Sequence, residues 1–545
     1  MESLKKQNLF ASCLLVIVML FLVSLFPIAA DYPEEVMAAK KSITGPMVVS
    51  HIHFLASKYC RGRETGDYGM DVADKYISSV LYGSEVTPAG DMGSYFQQVR
   101  LKSVALSENV YLKLTDQSGG APLIQDAQLE FDYLPINISA EREVNGSVVF
   151  AGYGITAPEH NYDDYKNINA KGKIVLVMRH EPGENDDKSP FEGRKLSKYG
   201  TFLTKILNAQ KHGAVGILFV TDPMNHEDLS LEGGYFSGTS WPSLQKKRMK
   251  DDEDFKYHRF RSRFRIIGDD FGVKIPAIFI DGDFAKNLLG EKISLLQIQK
   301  EIDKSLKPNS FTIPGKKIRM RVDFKTQFIK ANNIVFKVEG SDPALKNEVV
   351  IVGAHYDHEG KDNRGRVYGG ADDNASGSAG VIELARAFKK LKVKPKRTIL
   401  FILFTAEEKG LLGARYYVKN PLFPLKKTIA MVNLDMIGRN EVDQISLVGK
   451  YQYPKLFNIV DKANKKSVNF DINFSVESFI RNSDHFPFMR EKIPSIFFNS
   501  GSHDQLHTPE DTVGRIIVEK VEKVVQLVFL ILWDTANLPA GTQLK

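Results

Sequence analysis

At 545 residues, with 43% hydrophobic and 26% charged side chains, the chain is too long for one small core and too apolar for a disordered polymer. A formal charge of +7 is modest at this length and makes no electrostatic case for a nucleic-acid partner. Cys60 is the only cysteine beyond residue 30, so an internally disulfide-stapled scaffold is excluded for the chain that follows.

Lys5 and Lys6 precede an apolar run from Leu9 to Ala30, closed by the small residues Ala29 and Ala30 before Asp31. This pattern predicts an export signal over 1–30 and a periplasmic or secreted protein of a bacterial envelope. The run also reaches the ~20 residues that cross a bilayer, so an uncleaved anchor is the alternative, and the only membrane contact expected.

From Val48 to Leu101 the spacing predicts helices, with Met70, Val72, Tyr76, Ile77 and Val80 on an apolar face. Cys60–Gly66 is a loop between them, in which Arg63 and Glu64 are either solvated charges or braces for a catalytic core. Residues 31–125 are assigned to the amino-terminal part of one domain. Residues 126–315 form a β-rich unit with strands at Val148–Gly154, Gly172–Val177 and Ile217–Val220, and a helix over Thr204–His212 closed by Gly213. Within it Lys246–Arg265 interleaves nine basic and four acidic residues with aromatics. It is expected to be a solvated loop.

After 316 the chain turns α/β. Glu348–Gly353, Thr398–Phe404, Thr428–Leu434 and Ser495–Phe498 are short apolar strands; helices are expected over Ser376–Lys390, Leu411–Val418 and Val513–Ala536, the first capped by Ser376. Continuous apolar strands alternating with helices imply a mostly parallel central sheet covered by helices on both faces.

Ligand-type residues follow these strands: His355 the first, Glu407 and Glu408 the second, Asp435 the third and His507 the fourth. Functional groups of open α/β sheets gather beyond the carboxyl ends of the strands, and Asp373, in a Gly-rich turn, can join them there. Two imidazoles and three carboxylates exceed what one catalytic zinc takes, so two Zn²⁺ are expected. Glu408 can then ligate while Glu407 acts as general base. Asp357 is placed to hold the free nitrogen of His355. His358, His485 and His503 are set aside as bystanders, with Asp484 and His485 as candidate buttresses.

The motifs Gly353-Ala354-His355-Tyr356-Asp357-His358, Gly370-Ala371-Asp372-Asp373-Asn374-Ala375-Ser376-Gly377, Thr405-Ala406-Glu407-Glu408, Asn433-Leu434-Asp435-Met436 and His507-Thr508-Pro509-Glu510-Asp511-Thr512 resemble those of the M28 peptidases. The resemblance implies that Asp373 bridges two metals, that His355 and Asp435 complete one site and Glu408 and His507 the other, and that Asp373-Asn374 is a cis peptide. Gly152-Tyr153-Gly154, Asp163-Asp164-Tyr165 and Ala209-Gln210-Lys211-His212-Gly213 are similar to a protease-associated (PA) domain inserted in such peptidases, which leaves 316–545 as the catalytic domain. The activity implied is an aminopeptidase acting on peptides. A glutamate-carboxypeptidase-type enzyme is the alternative, with Arg364, Arg366 or Arg481 then needed to meet a carboxylate. Glutaminyl cyclisation and a non-enzymatic receptor-like protein are further readings that a full ligand set disfavours.

Overall fold

A computed structural model describes residues 32–544 apart from 120, 130, 194–196, 225–262, 270 and 363. The expected export signal and most of the Lys246–Arg265 segment therefore lie outside the described residues. No helix among the described residues is long and apolar enough to cross a membrane.

The larger sheet comprises β1 (Phe96–Leu106), β2 (Arg263–Ile266), β3 (Phe324–Val338), β4 (Val349–His355), β5 (Thr398–Phe404), β6 (Thr428–Leu434), β7 (Gln444–Val448), β8 (Asp471–Asn473) and β9 (Ser495–Asn499), in the order β2-β1-β3-β5-β4-β6-β9-β7-β8. Its centre, β5-β4-β6-β9, is parallel. Every residue of β4 and β5 is buried, because helices cover both faces and leave no polar side to alternate with. Val350, Val352 and Ala354 pack with α2 (Gly45–Leu55), α4 (Gly377–Lys390) and α8 (Val518–Ala536). Val349 and Ile351 face α5 (Leu412–Lys419) and α7 (His485–Arg490). The two sets alternate along one strand, as pleating requires.

The first described residues are tied to the last helix. Tyr32 Oη donates to Asp534 (2.8 Å), the Gly45 amide to Glu522 (2.6 Å), and Gln526 to the Ile43 carbonyl (2.9 Å).

Three local expectations need correction. Helix gives way to strand from Phe96, where Gln97, Val99 and Leu101 point inward. A buried Gln97, held by Asn333 and the Asn420 carbonyl, hid the two-residue period. Ser376 does not cap its helix. It is fully buried, and its hydroxyl donates to the Asp372 carbonyl instead. Arg263–Ile266, read as the end of a loop, is an edge strand paired with β1.

A second sheet runs in the order Leu123–Asp126, Tyr111–Asp116, Ser310–Val322, Arg142–Ala151, Ile174–Met178, Gly216–Val220, Ala277–Ile280, Tyr133–Pro135. It therefore takes strands from outside 126–315 at both ends. The helix Phe202–Lys211 packs beside it, and Gly213 after it adopts the left-handed φ of 79° that glycine tolerates. Apart from β2, which returns to the edge of the larger sheet, the excursion to this sheet leaves and re-enters at one point: Leu106 of β1 faces Phe324 of β3, and the Ser107 hydroxyl donates to Asp323 (2.6 Å).

Candidate metal centre

The parallel strands deliver His355, Glu407, Glu408 and Asp435 to one end of the sheet, and two loops bring Asp373 and His507 against them. His355 Nε2 lies 3.3 Å from Asp373 Oδ1 and 3.2 Å from Asp435 Oδ1. His507 Nε2 lies 3.0 Å from Asp373 Oδ2 and 3.4 Å from Glu408 Oε2. Asp373 thus stands between the two imidazoles. His355, Glu407 and Asp435 form a second convergent trio of donor atoms.

Each side chain is held from behind. Asp435 accepts from the Ser483 hydroxyl (2.8 Å), which accepts from Asn433 (2.7 Å). The turn before Asp373 is fixed by Asp511, whose carboxylate accepts the amides of Asp372 and Asp373 (3.1 Å each). The Asp373-Asn374 peptide is cis, and the Asn374 side-chain amide donates to the Leu434 carbonyl (2.9 Å), locking this turn to the strand that ends at Asp435.

Asp357 works differently from expectation. His355 Nδ1 sits 3.2 Å from the Asp357 main-chain carbonyl, whereas the nearest carboxylate oxygen is 3.9 Å away. That carboxylate instead accepts the Glu407 amide (3.0 Å) and the Thr65 hydroxyl (3.1 Å), so it positions the backbone of the expected base. His358, set aside from the sequence, is fully buried with Nδ1 2.9 Å from Glu408. Nothing in a His three residues past a strand end distinguishes it from a bystander. Asp484 and His485 are both fully buried, and Asp484 lies close enough to raise the Glu407 pKa.

The electrostatics are those of a site built for cations. Burial pushes the Glu407 carboxyl well above the usual range, and Glu408, Asp484 and Asp435 push it further against the opposing pull of His355. Burial also pushes Asp357 up to about 6. Burial works against charge on His355, yet Asp435 and Glu407 hold its pKa well above the ordinary imidazole value. Among the described residues no Lys or Arg side chain pairs with Asp373, Glu407, Glu408, Asp435 or Asp484. Both oxygens of Asp484 are buried without a hydrogen-bond partner. A surplus of buried carboxylate facing imidazoles at 3.0–3.4 Å fits divalent zinc, which takes both donor types.

Comparison with known proteins points the same way. Residues 333–532 match the family model for peptidase family M28, and residues 144–247 match the PA domain. Aminopeptidase YwaD of Bacillus subtilis is 31% identical over 204 residues, covering 35% of this chain and 42% of that protein. A probable glutamate carboxypeptidase of Arthroderma benhamiae is 33% identical over 159 residues, covering 28% and 20%. The matched segments thus span less than half the length of either relative. The solved aminopeptidase from Aneurinibacillus sp. strain AM-1 superposes with a TM-score of 0.55 at 19% identity, covering 93% of this chain and 96% of that one, and so shares the fold.

Proposed function

With residues 333–532 matching the model of peptidase family M28 and residues 144–247 that of the PA domain, we propose that the chain is a zinc-dependent aminopeptidase that removes amino-terminal residues from peptides. The observation that carries this reading is the convergence of His355, Asp373, Glu408, Asp435 and His507 around a surplus of carboxylate. His355 and Asp435 would hold one Zn²⁺, Glu408 and His507 the other, and Asp373 both. Two such ions polarise a carbonyl and lower the pKa of water.

The chain's own residues do the rest. Glu407, aligned through its amide by Asp357, takes the proton of the attacking water and returns it to the departing amine. Its burial raises its affinity for a proton, which suits a group that accepts one from water and passes it on. Arg366 is engaged with Asp362 at 2.5 Å, which does not leave it as an open clamp for a substrate carboxylate. The domain limits proposed are a peptidase domain of about 31–106 and 324–545 around an insert, and the first 30 residues are proposed to direct export.

Incubating the purified protein with a peptide of mixed sequence, with and without a chelator, tests this. Loss of amino-terminal residues only in the absence of chelator is expected. Chelator-sensitive loss from the carboxyl end would replace the aminopeptidase reading by the carboxypeptidase one.

A further inference from the structure

Arg63 is among the largest fully buried side chains of the described residues, yet among them it makes no ion pair. Within that set its guanidinium donates to main-chain carbonyls, in three separate segments. Nε reaches Tyr356 (2.8 Å), one Nη reaches Leu55 (2.6 Å) and Gly369 (2.7 Å), and the other reaches Gly370 (2.9 Å). Tyr356 lies between His355 and Asp357, and Gly370 lies three residues before Asp373. The segment around Arg63 is itself anchored to the same strand end. The His358 amide donates to the Arg63 carbonyl (3.0 Å) and the Gly360 amide to that of Gly62 (2.9 Å). The approach is tight enough that a Cβ on Gly62 would stand 2.1 Å from the Gly360 oxygen.

We infer that Arg63 is a positioning residue of the metal centre: by gripping the carbonyls of Tyr356, Gly369 and Gly370 it sets the separation between His355 and Asp373. The inference rests on the function proposed above. A planar fork with five N–H donors can hold carbonyls from diverging segments at once, which a single ammonium cannot. Desolvating a cation with only neutral acceptors around it is unfavourable, and nearby Asp373, Asp357 and Asp511 offset that cost through space. Its positive charge thereby acts through space on Asp373, the carboxylate that stands between the two imidazoles.

The test compares Arg63→Lys with Arg397→Lys. Arg397 is as deeply buried and grips the Ala536 and Leu538 carbonyls, with an ion pair to Glu348 (2.8 Å) in addition, but at the opposite end of β5, so it gives an upper bound on the generic stability cost of losing such a clamp. Zinc affinity is read by competition with a chromophoric chelator, alongside kcat, KM and the thermal midpoint. R63K is expected to weaken zinc binding by ~10–100-fold and to lower kcat more than it changes KM, whereas R397K lowers only the midpoint. A folded R63K with zinc affinity and kcat like those of R397K overturns the inference. If R63K does not fold, Gly369→Ala decides. It leaves Arg63 in place but puts a Cβ 3.1 Å from the Ala56 oxygen and 3.3 Å from that of Asp511, crowding the segment whose carbonyl Arg63 grips. A several-fold loss of zinc affinity is expected, and an unchanged affinity overturns the inference. Wild-type protein that binds no zinc at all would instead remove the proposed function and this inference with it, a result told apart by the first titration.

Discussion

Glu407 and Glu408 are neighbours in sequence but face different surroundings. Glu408 contacts His358 and His507, which hold its carboxyl well below the usual range despite burial, while burial drives Glu407 the other way. Replacing Glu407 by Gln should therefore keep zinc and fold while cutting turnover by ~10²–10⁴; equal turnover in metal-replete E407Q would remove its role as base. His485 makes a prediction about acid. It is fully buried, stacked on Phe497 with ring centroids 4.6 Å apart, and burial pushes its pKa down to about 3. An unfolded imidazole protonates near 6.5, so between pH 6.5 and 3 the unfolded chain binds the extra proton and stability falls as the pH drops. About 2–3 kcal/mol should be lost between pH 7 and 4.5. His485→Phe keeps the stacking and should show a smaller fall in thermal midpoint over that interval; an equal fall would refute the assignment.

Elements meet as closely as residues do, and glycine marks where. Gly413, in the first turn of α5, sits so near β5 that a Cβ would lie 2.3 Å from the Thr405 oxygen and 2.5 Å from Asn333. Gly413→Ala should destabilise by about 1–3 kcal/mol and disturb the strand end that leads to Glu407, seen as a lower thermal midpoint with reduced kcat. The central strands and the ligand-type residues after them were legible because a strand buried on both faces can only be an unbroken apolar run. The edge strands were not. In β1 the inward Gln97 breaks the apolar alternation, since its partner is Asn333, 236 residues away. Of the supporting side chains, the sequence offered Arg63 as a brace only beside a solvated alternative and gave Asp511 no role, for the same reason. Arg63 and Asp511 act on main-chain groups, and the choice of which carbonyl or amide they meet is written only in the folded backbone.

At the scale of the whole molecule, the chain departs from the larger sheet after Leu106 and returns to it at Phe324, its paired neighbour. A chain in which 107–323 are replaced by a two-residue Asn-Gly turn should therefore still close β1 on β3. Besides the second sheet it loses the β2 edge and the Asp269 ion pairs to Arg415 and Lys419, and it should bind two zinc ions per chain with the helices of the larger sheet still visible by circular dichroism. Failure to fold or to load zinc would show that the second sheet is needed to hold the first together.

The ties from Tyr32, Ile43 and Gly45 to the helix at 518–536 bear on the order of events during synthesis. The face of the first described helices that meets the helix at 518–536 cannot be buried until that helix has been translated, whereas the second sheet, complete by Val322, has all its partners far sooner. That face of α2 must then stay uncovered while nearly five hundred residues emerge. The nascent chain is correspondingly exposed to premature association, and a holding chaperone would act on that surface longest.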